Sequence, residues 1–132
     1  MSQENVEVIR RAAEAFNQDG PEAARRFFAD DAEFHEAPES PSPRLGRGIE
    51  EAGRLFGAFE DTWAEHRTEI EEIRAVGKDR VLVFSVEHFR GRDGIELTAA
   101  AGSVFTLRKG KITRWQTFWD SQRALEAAGL KE

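Results

Sequence analysis

The side chains able to do chemistry in this 132-residue chain are few, and two kinds are missing altogether. With no cysteine and no tyrosine, disulfides, thiolate nucleophiles and phenolic proton donors are excluded at the outset. Three histidines remain. His35, His66 and His88 lie far apart and show neither His-x-x-His nor His-Glu-x-x-His spacing, so no metal is expected, and nothing in the sequence calls for a cofactor. His88 and Arg90 alternate with Leu82, Phe84 and Val86, which in a strand puts all five on one face. There His88 would donate or shuttle a proton and Arg90 would hold an anionic group, at the open end of an apolar cavity. The competing expectation is that both flank a hairpin turn in solvent. His35 and His66 read as surface groups. Asp120 precedes a short helical run and is expected to cap it, while Asp30 and Asp31 fit the turn at a helix-to-strand junction.

The aromatic side chains gather near the C-terminus. After a Lys109-Gly110 turn, residues 111–119 read as a strand with bulky groups on both faces. Trp115, Thr117 and Trp119 look one way, and Ile112, Arg114, Gln116 and Phe118 the other. Indole rings bring an N–H that needs a partner. Both faces therefore need cover: one is expected as a core or cavity wall and the other as an interface with another sheet or subunit.

The elements that must position these groups follow from periodicity. Val6, Ile9, Ala13 and Phe16 recur at helical spacing within residues 5–18. Asp19-Gly20 ends that helix, and Pro21 suits the first position of a second, short one that stops at Asp30-Asp31. Residues 32–36 read as a strand and 37–48, with three prolines and two glycines, as a long loop of the kind that forms lids and pocket rims. A helix over 49–63 follows, then a meander of strands at 67–76, 80–90, 95–108 and 111–119, and a helix over 121–128 that Gly129 ends. The alternation breaks at Glu71-Glu72, which suggests a β-bulge. Helices first and antiparallel strands later make the class α+β, a single domain over residues 1–132. Net charge is −6 without a basic stripe, so nucleic acid is not an expected partner. No apolar run is long enough for a membrane helix, and the N-terminus lacks a signal-peptide pattern, so a cytoplasmic location is the expectation.

Two segments carry a resemblance. The run Gly-Lys-Ile-x-Arg-Trp-x-x-Phe-Trp-Asp from Gly110 to Asp120, followed by Ala-Leu-Glu-Ala-Ala-Gly-Leu from Ala124 to Leu130, resembles the C-terminal signature of SnoaL-like proteins of the nuclear transport factor 2-like superfamily. The segment Phe28-Ala29-Asp30-Asp31-Ala32 is similar to that superfamily's helix-to-first-strand junction. The resemblance implies a cone-shaped, cystatin-like α+β barrel, with N-terminal helices in the concave face of a strongly curved, mostly antiparallel mixed sheet. It also implies a homodimer through the outer sheet face, and a pocket lined by Trp115, Thr117 and Trp119 on the last strand, with Trp63 at the end of the third helix closing it from above, suited to a flat, apolar, aromatic-type ligand. Counted from Asp31, the general base of the ketosteroid isomerase branch falls on Glu36, where desolvation would raise the carboxyl pKa. The same branch's oxyanion donors, a tyrosine and a protonated aspartate, fall on Ala13 or a neighbour and on Gly102, so both are missing. The Asp–Arg–Asp arrangement of an epoxide hydrolase cannot be assembled from this sequence. Two functions follow as expectations: a cyclase, isomerase or lyase using Glu36 on an apolar carbonyl compound, or a non-catalytic ligand-binding or dimerisation module.

Overall fold

The computed structural model describes residues 2–130. Helix α1 (Ser2–Asp19) and the one-turn α2 (Pro21–Ala24) lead through a 3-10 turn (Arg25–Phe27) into β1 (Phe28–His35). A short β2 (Leu45–Arg47), helix α3 (Ile49–Glu60), and the long strands β3 (Trp63–Val76), β4 (Arg80–Gly91), β5 (Glu96–Arg108) and β6 (Lys111–Phe118) follow, and α4 (Ser121–Ala127) closes the chain. The six strands form one mixed sheet in the order β2-β1-β6-β5-β4-β3, parallel only between β1 and β6. Helix α3 packs on β1 and β2 at one side of the sheet and on β3 at the opposite edge. A six-stranded sheet can offer both places to one helix only if it curls around it. The fold is therefore α+β, with α1 and α3 inside the curl.

Apolar residues spaced three apart on α1, namely Val6, Ile9 and Ala12, pack on Val81 and Val83 of β4, Leu107 of β5 and Ile112 of β6. This fills the narrow end of the curl. The sheet's outer face has its own core, where Ala124 and Ala128 at the C-terminal end meet Val76, Leu82, Val104 and Phe118. That approach requires Gly102, because a Cβ there would lie 2.5 Å from the Ala124 Cβ. Asp120 caps α4 as expected, its carboxylate accepting from the Gln122 N–H at 2.9 Å.

Several boundaries differ from the sequence expectation. Strand β1 starts at Phe28 and not at residue 32, and β2 pairs within the stretch read as loop. Helix α3 stops at Glu60, so Trp63 opens a strand instead of ending a helix. The expected bulge is present: Ile70 pairs with Ser85 and Glu72 with Phe84, leaving Glu71 over. A second irregularity lies between Ile112, opposite Leu107, and Arg114, opposite Thr106, with Thr113 the extra residue. It turns Ile112 to the inner face, fully buried against α1, and not to the outer face that simple alternation gave it.

Candidate functional site

Beyond the plug formed by α1, the curl stays open. A cavity of about 970 Å³ lies between the helices and the inner face of the sheet. Phe16, Phe34, Phe56, Phe59, Trp115 and Trp119 supply its aromatic walls. Trp115 packs on Phe34 (4.7 Å between centroids) and stacks on Phe105 (5.6 Å), and its Nε1–H donates to Ser103 Oγ at 3.1 Å. The indole thereby stays rigid and its polar atom satisfied. Thr117 also borders the cavity, its hydroxyl 3.4 Å from the His35 carbonyl. Trp119, 38% exposed, stands at the mouth.

On this apolar surface a polar group converges from β3 and β4. Alternation along β4 points Val81, Val83, Ser85, Glu87 and Phe89 inward. The register places Thr68 opposite Glu87 and His66 opposite Phe89. His66, Thr68, Ser85 and Glu87 all border the cavity. His66 Nε2 lies 2.6 Å from Glu87 Oε1, and His66 Nδ1 lies 2.6 Å from Oε2 of Glu60, the last residue of α3. The hydroxyls of Thr68 (2.7 Å) and Ser85 donate to the two oxygens of Glu87. Side-chain exposure is 7% at His66, 13% at Glu60 and 10% at Glu87. Asn17 of α1 fixes β3 beside the group, its side chain exchanging two hydrogen bonds with the Thr68 backbone at 2.8 and 2.9 Å.

The electrostatics follow from this packing. Burial alone would lower the His66 pKa, but the hydrogen bonds and negative charges of Glu60 and Glu87 outweigh it and raise it to about 9. At neutral pH the ring is an imidazolium donating from both nitrogens. Burial pushes the Glu87 carboxyl up, and the donors His66, Ser85 and Thr68 more than reverse that, holding it below the usual carboxylate range. The centre is one cation between two carboxylates, with a net charge of −1.

The structure separates the residues singled out in the sequence. Glu36 borders the cavity, as do Trp115, Thr117 and Trp119. Its expected raised pKa is not found. Burial does push it up, but Arg44 reaches back over the loop and binds it through Nε (3.1 Å), a terminal guanidinium nitrogen (2.9 Å) and its backbone N–H (2.8 Å), so the carboxyl is held below the ordinary value. His88 and Arg90 lie on the outer face, where His88 bonds Glu69 at 2.8 Å and Arg90 pairs with Glu65, and neither borders the cavity. Trp63 packs on Phe89 with ring centroids 4.4 Å apart and does not border the cavity, and its buried Nε1–H has no hydrogen-bond partner among the described residues. His66, read as a surface group, is buried at the centre of the site, because β3 begins at Trp63 and carries it inward. Ala13 does border the cavity, without a donor, while Gly102 faces α4, so its neighbours Ala101 and Ser103 face inward in its place. Among the described residues no cluster of His, Asp or Glu is arranged to hold a metal ion.

His66 and Glu87 were the residues missed by sequence reasoning. A charged residue inside the alternation Val81-Val83-x-Glu87-Phe89 was the available signal, since a carboxylate on a buried face needs a partner.

Residues 9–115 match the family model of a SnoaL-like domain. No curated protein matches in sequence. Among solved structures, TerC, co-crystallised with polyporic acid, is similar over 96% of this chain and 98% of its own, at 20% identity and a TM-score of 0.77. A putative SnoaL-like polyketide cyclase of Jannaschia sp. CCS1 is similar over 99% of this chain and 95% of its own, at 18% identity and a TM-score of 0.76. An LEH-like epoxide hydrolase of M. tuberculosis covers 96% and 90%, at 16% identity and a TM-score of 0.73. At these identities the likeness is one of fold.

Proposed function

The chain belongs to the SnoaL-like domain family, and from that premise we propose that it is an enzyme acting on a small apolar carbonyl compound by proton transfer, with Glu87 as the base. The observation that carries this reading is a buried, ionised carboxylate on the cavity surface that holds three donors at once, from His66, Thr68 and Ser85. When Glu87 takes a proton from the carbon beside a carbonyl, its need for those donors falls. The C–H electron pair moves to the carbonyl oxygen, and the same N–H and O–H groups turn to the new oxyanion. The charge of the centre stays at −1, relocated from Glu87 to the ligand. Resting donors lower the basicity of Glu87, and their transfer to the oxyanion offsets that cost in the transition state.

Glu36 has a different place in this reading. Its ionic contact with Arg44 ties the two ends of the connection between β1 and β2, residues 36–44, beside the cavity, so in this reading it shapes access and is not the base. Trp115, Thr117 and Trp119 supply the flat walls. A polyketide cyclase and an epoxide hydrolase among the structural neighbours support a small-molecule chemistry on this fold. Hydrolysis of an epoxide has less support, since the two carboxylates of the centre, Glu60 and Glu87, are both engaged by His66.

The test is a thermal-shift screen of aromatic and terpenoid ketones on wild type, Glu87→Gln and Trp115→Ala, with turnover of each hit. A ligand at 100 times its Kd stabilises the native state by about 2.7 kcal/mol. Hits that need Trp115 and are turned over only when Glu87 is intact support the enzyme. Turnover by Glu87→Gln at the wild-type rate overturns the assignment of the base. Hits that bind and never react identify a ligand-binding module.

A further inference from the structure

We propose that His66 and Glu87 work as a two-site proton exchanger, His66 giving the product a proton from Nε2 while Glu87 keeps the one it took, with Glu60 positioning the ring; this rests on Glu87 being the base. The geometry that points to it is the double capping of one imidazole. A single carboxylate is enough to orient a histidine ring. Here Glu60 holds Nδ1 at 2.6 Å from outside the cavity lining, and Glu87 faces Nε2 at 2.6 Å from within it. Only the Nε2 proton is therefore directed toward a ligand.

The surroundings keep water from short-circuiting the exchange. Phe89 stacks on the His66 ring at 4.4 Å, Phe16 meets it edge-on at 5.0 Å, and Phe59 does so at 6.1 Å. The charged groups that reach the ring are Glu60 from α3 and Glu87 from β4, while α1 presents Phe16.

The cycle balances without any co-reactant. First, Glu87 removes a proton from carbon, and the electron pair passes to the carbonyl oxygen. Next, the Nε2–H of His66, released by the now neutral Glu87, is given to the anionic ligand at oxygen or at a conjugated carbon, leaving Nε2 bare and Nδ1–H still on Glu60. Finally, Glu87 O–H passes its proton to Nε2, and the imidazolium–carboxylate pair is restored. One proton has moved from one position of the ligand to another, and nothing has been oxidised, reduced or hydrolysed. The chemistry such a centre completes is double-bond isomerisation or intramolecular aldol-type ring closure. Addition of water is not part of it.

The experiment uses the full chain with cyclohex-3-enone as the probe, followed in D2O by NMR. Wild type is expected to give conjugated enone with deuterium at the newly protonated carbon, because the Nε2 proton equilibrates with solvent between turnovers. His66→Asn should be slower on the order of 10²-fold, and its residual product should keep the abstracted protium, returned by Glu87. Glu60→Gln should lower the rate and bring the alkaline limb of kcat down toward neutral pH, with Glu60→Asp restoring much of it. A merely structural Glu60 would change the unfolding temperature and leave that limb in place. Protium retained by wild type, or equal deuterium in wild type and His66→Asn, overturns the exchanger while leaving Glu87 as base. Probe conversion that survives Glu87→Gln, or no conversion by wild type, overturns the underlying reading as well.

Discussion

Replacing His66 by Gln should flatten the alkaline side of the protein's stability profile. The ring titrates near 6.5 when free and at about 9 in the fold. A difference of roughly 2.5 pKa units at 1.36 kcal/mol each corresponds to about 3 kcal/mol. Because the folded value is the higher one, this stability is fully present below about pH 6.5 and is lost as pH rises through about 9. Glu87, held below its ordinary range, acts in the opposite sense, its share being lost on acidification. Stability from the centre is therefore greatest between about pH 5 and 6.5. Urea unfolding at pH 6 and at pH 10, extrapolated linearly to water, should show wild type losing about 3 kcal/mol between the two. His66→Gln should lose none of that increment. It should also be less stable at pH 6 by about 3–5 kcal/mol, because two buried carboxylates lose the cation between them. Parallel profiles for the two proteins would refute the reasoning and place His66 in water.

Other outcomes are open to direct measurement. Gly102→Val puts side-chain atoms where Ala124 sits and should destabilise by about 1–3 kcal/mol through undocking of α4, read by urea unfolding. Trp115→Ala removes the ring that joins Phe34, Phe56 and Phe105 and should cost about 3–5 kcal/mol, with loss of ligand-induced thermal shift. Arg44→Ala breaks a contact whose arginine is 58% exposed, so stability should change by at most about 1 kcal/mol. Ligand dissociation measured by stopped flow should nevertheless quicken as the mouth loop loosens. The outer face beside α4 carries half-buried Phe84 and Val86 of β4 and exposed Ala100 of β5, flanked by the Glu69–His88 and Glu65–Arg90 pairs, and a second copy of the chain is its expected cover. Sedimentation is expected to give twice the 14.9 kDa chain mass, and Val86→Lys to give the monomer.

The fold was legible because its signals were local. Helical spacing marked α1 and α3, turn residues separated the four long strands, and the broken alternation at Glu71 marked a real bulge. What could not be read was which face of β4 is inside. Leu82 packs under α4 while Val81 and Val83 pack under α1, so both faces are apolar at that end. Period-two alternation then says only that the strand is covered twice. The face of Leu82, Phe84 and Val86 carries His88 and Arg90 and is the outer one, while Ser85 and Glu87 share the inner face with Val81 and Val83.

The misplacement of His66 has the same origin, compounded by one boundary. The stretch from Ile49 to Trp63 keeps aromatic residues at helical intervals to its end, and nothing local marks Glu60 as the last helical position. Taking the strand to begin at residue 67 left His66 in a connection, where a histidine has no reason to be buried. Once β3 begins at Trp63, parity alone carries His66 inward with Thr68 and Ile70. The early stop also leaves Glu60 at the helix end within reach of Nδ1. Three residues of chain thus decide whether Glu60, His66 and Glu87 are solvated charges or one buried centre. Inserting a helix-forming residue after Glu60 tests this. If the centre depends on that boundary, the insertion should return the His66 pKa toward 6.5, seen by NMR of the ring protons, while leaving the α1 plug of the sheet folded. A ring that still titrates near 9 would show that Glu87 alone organises the site.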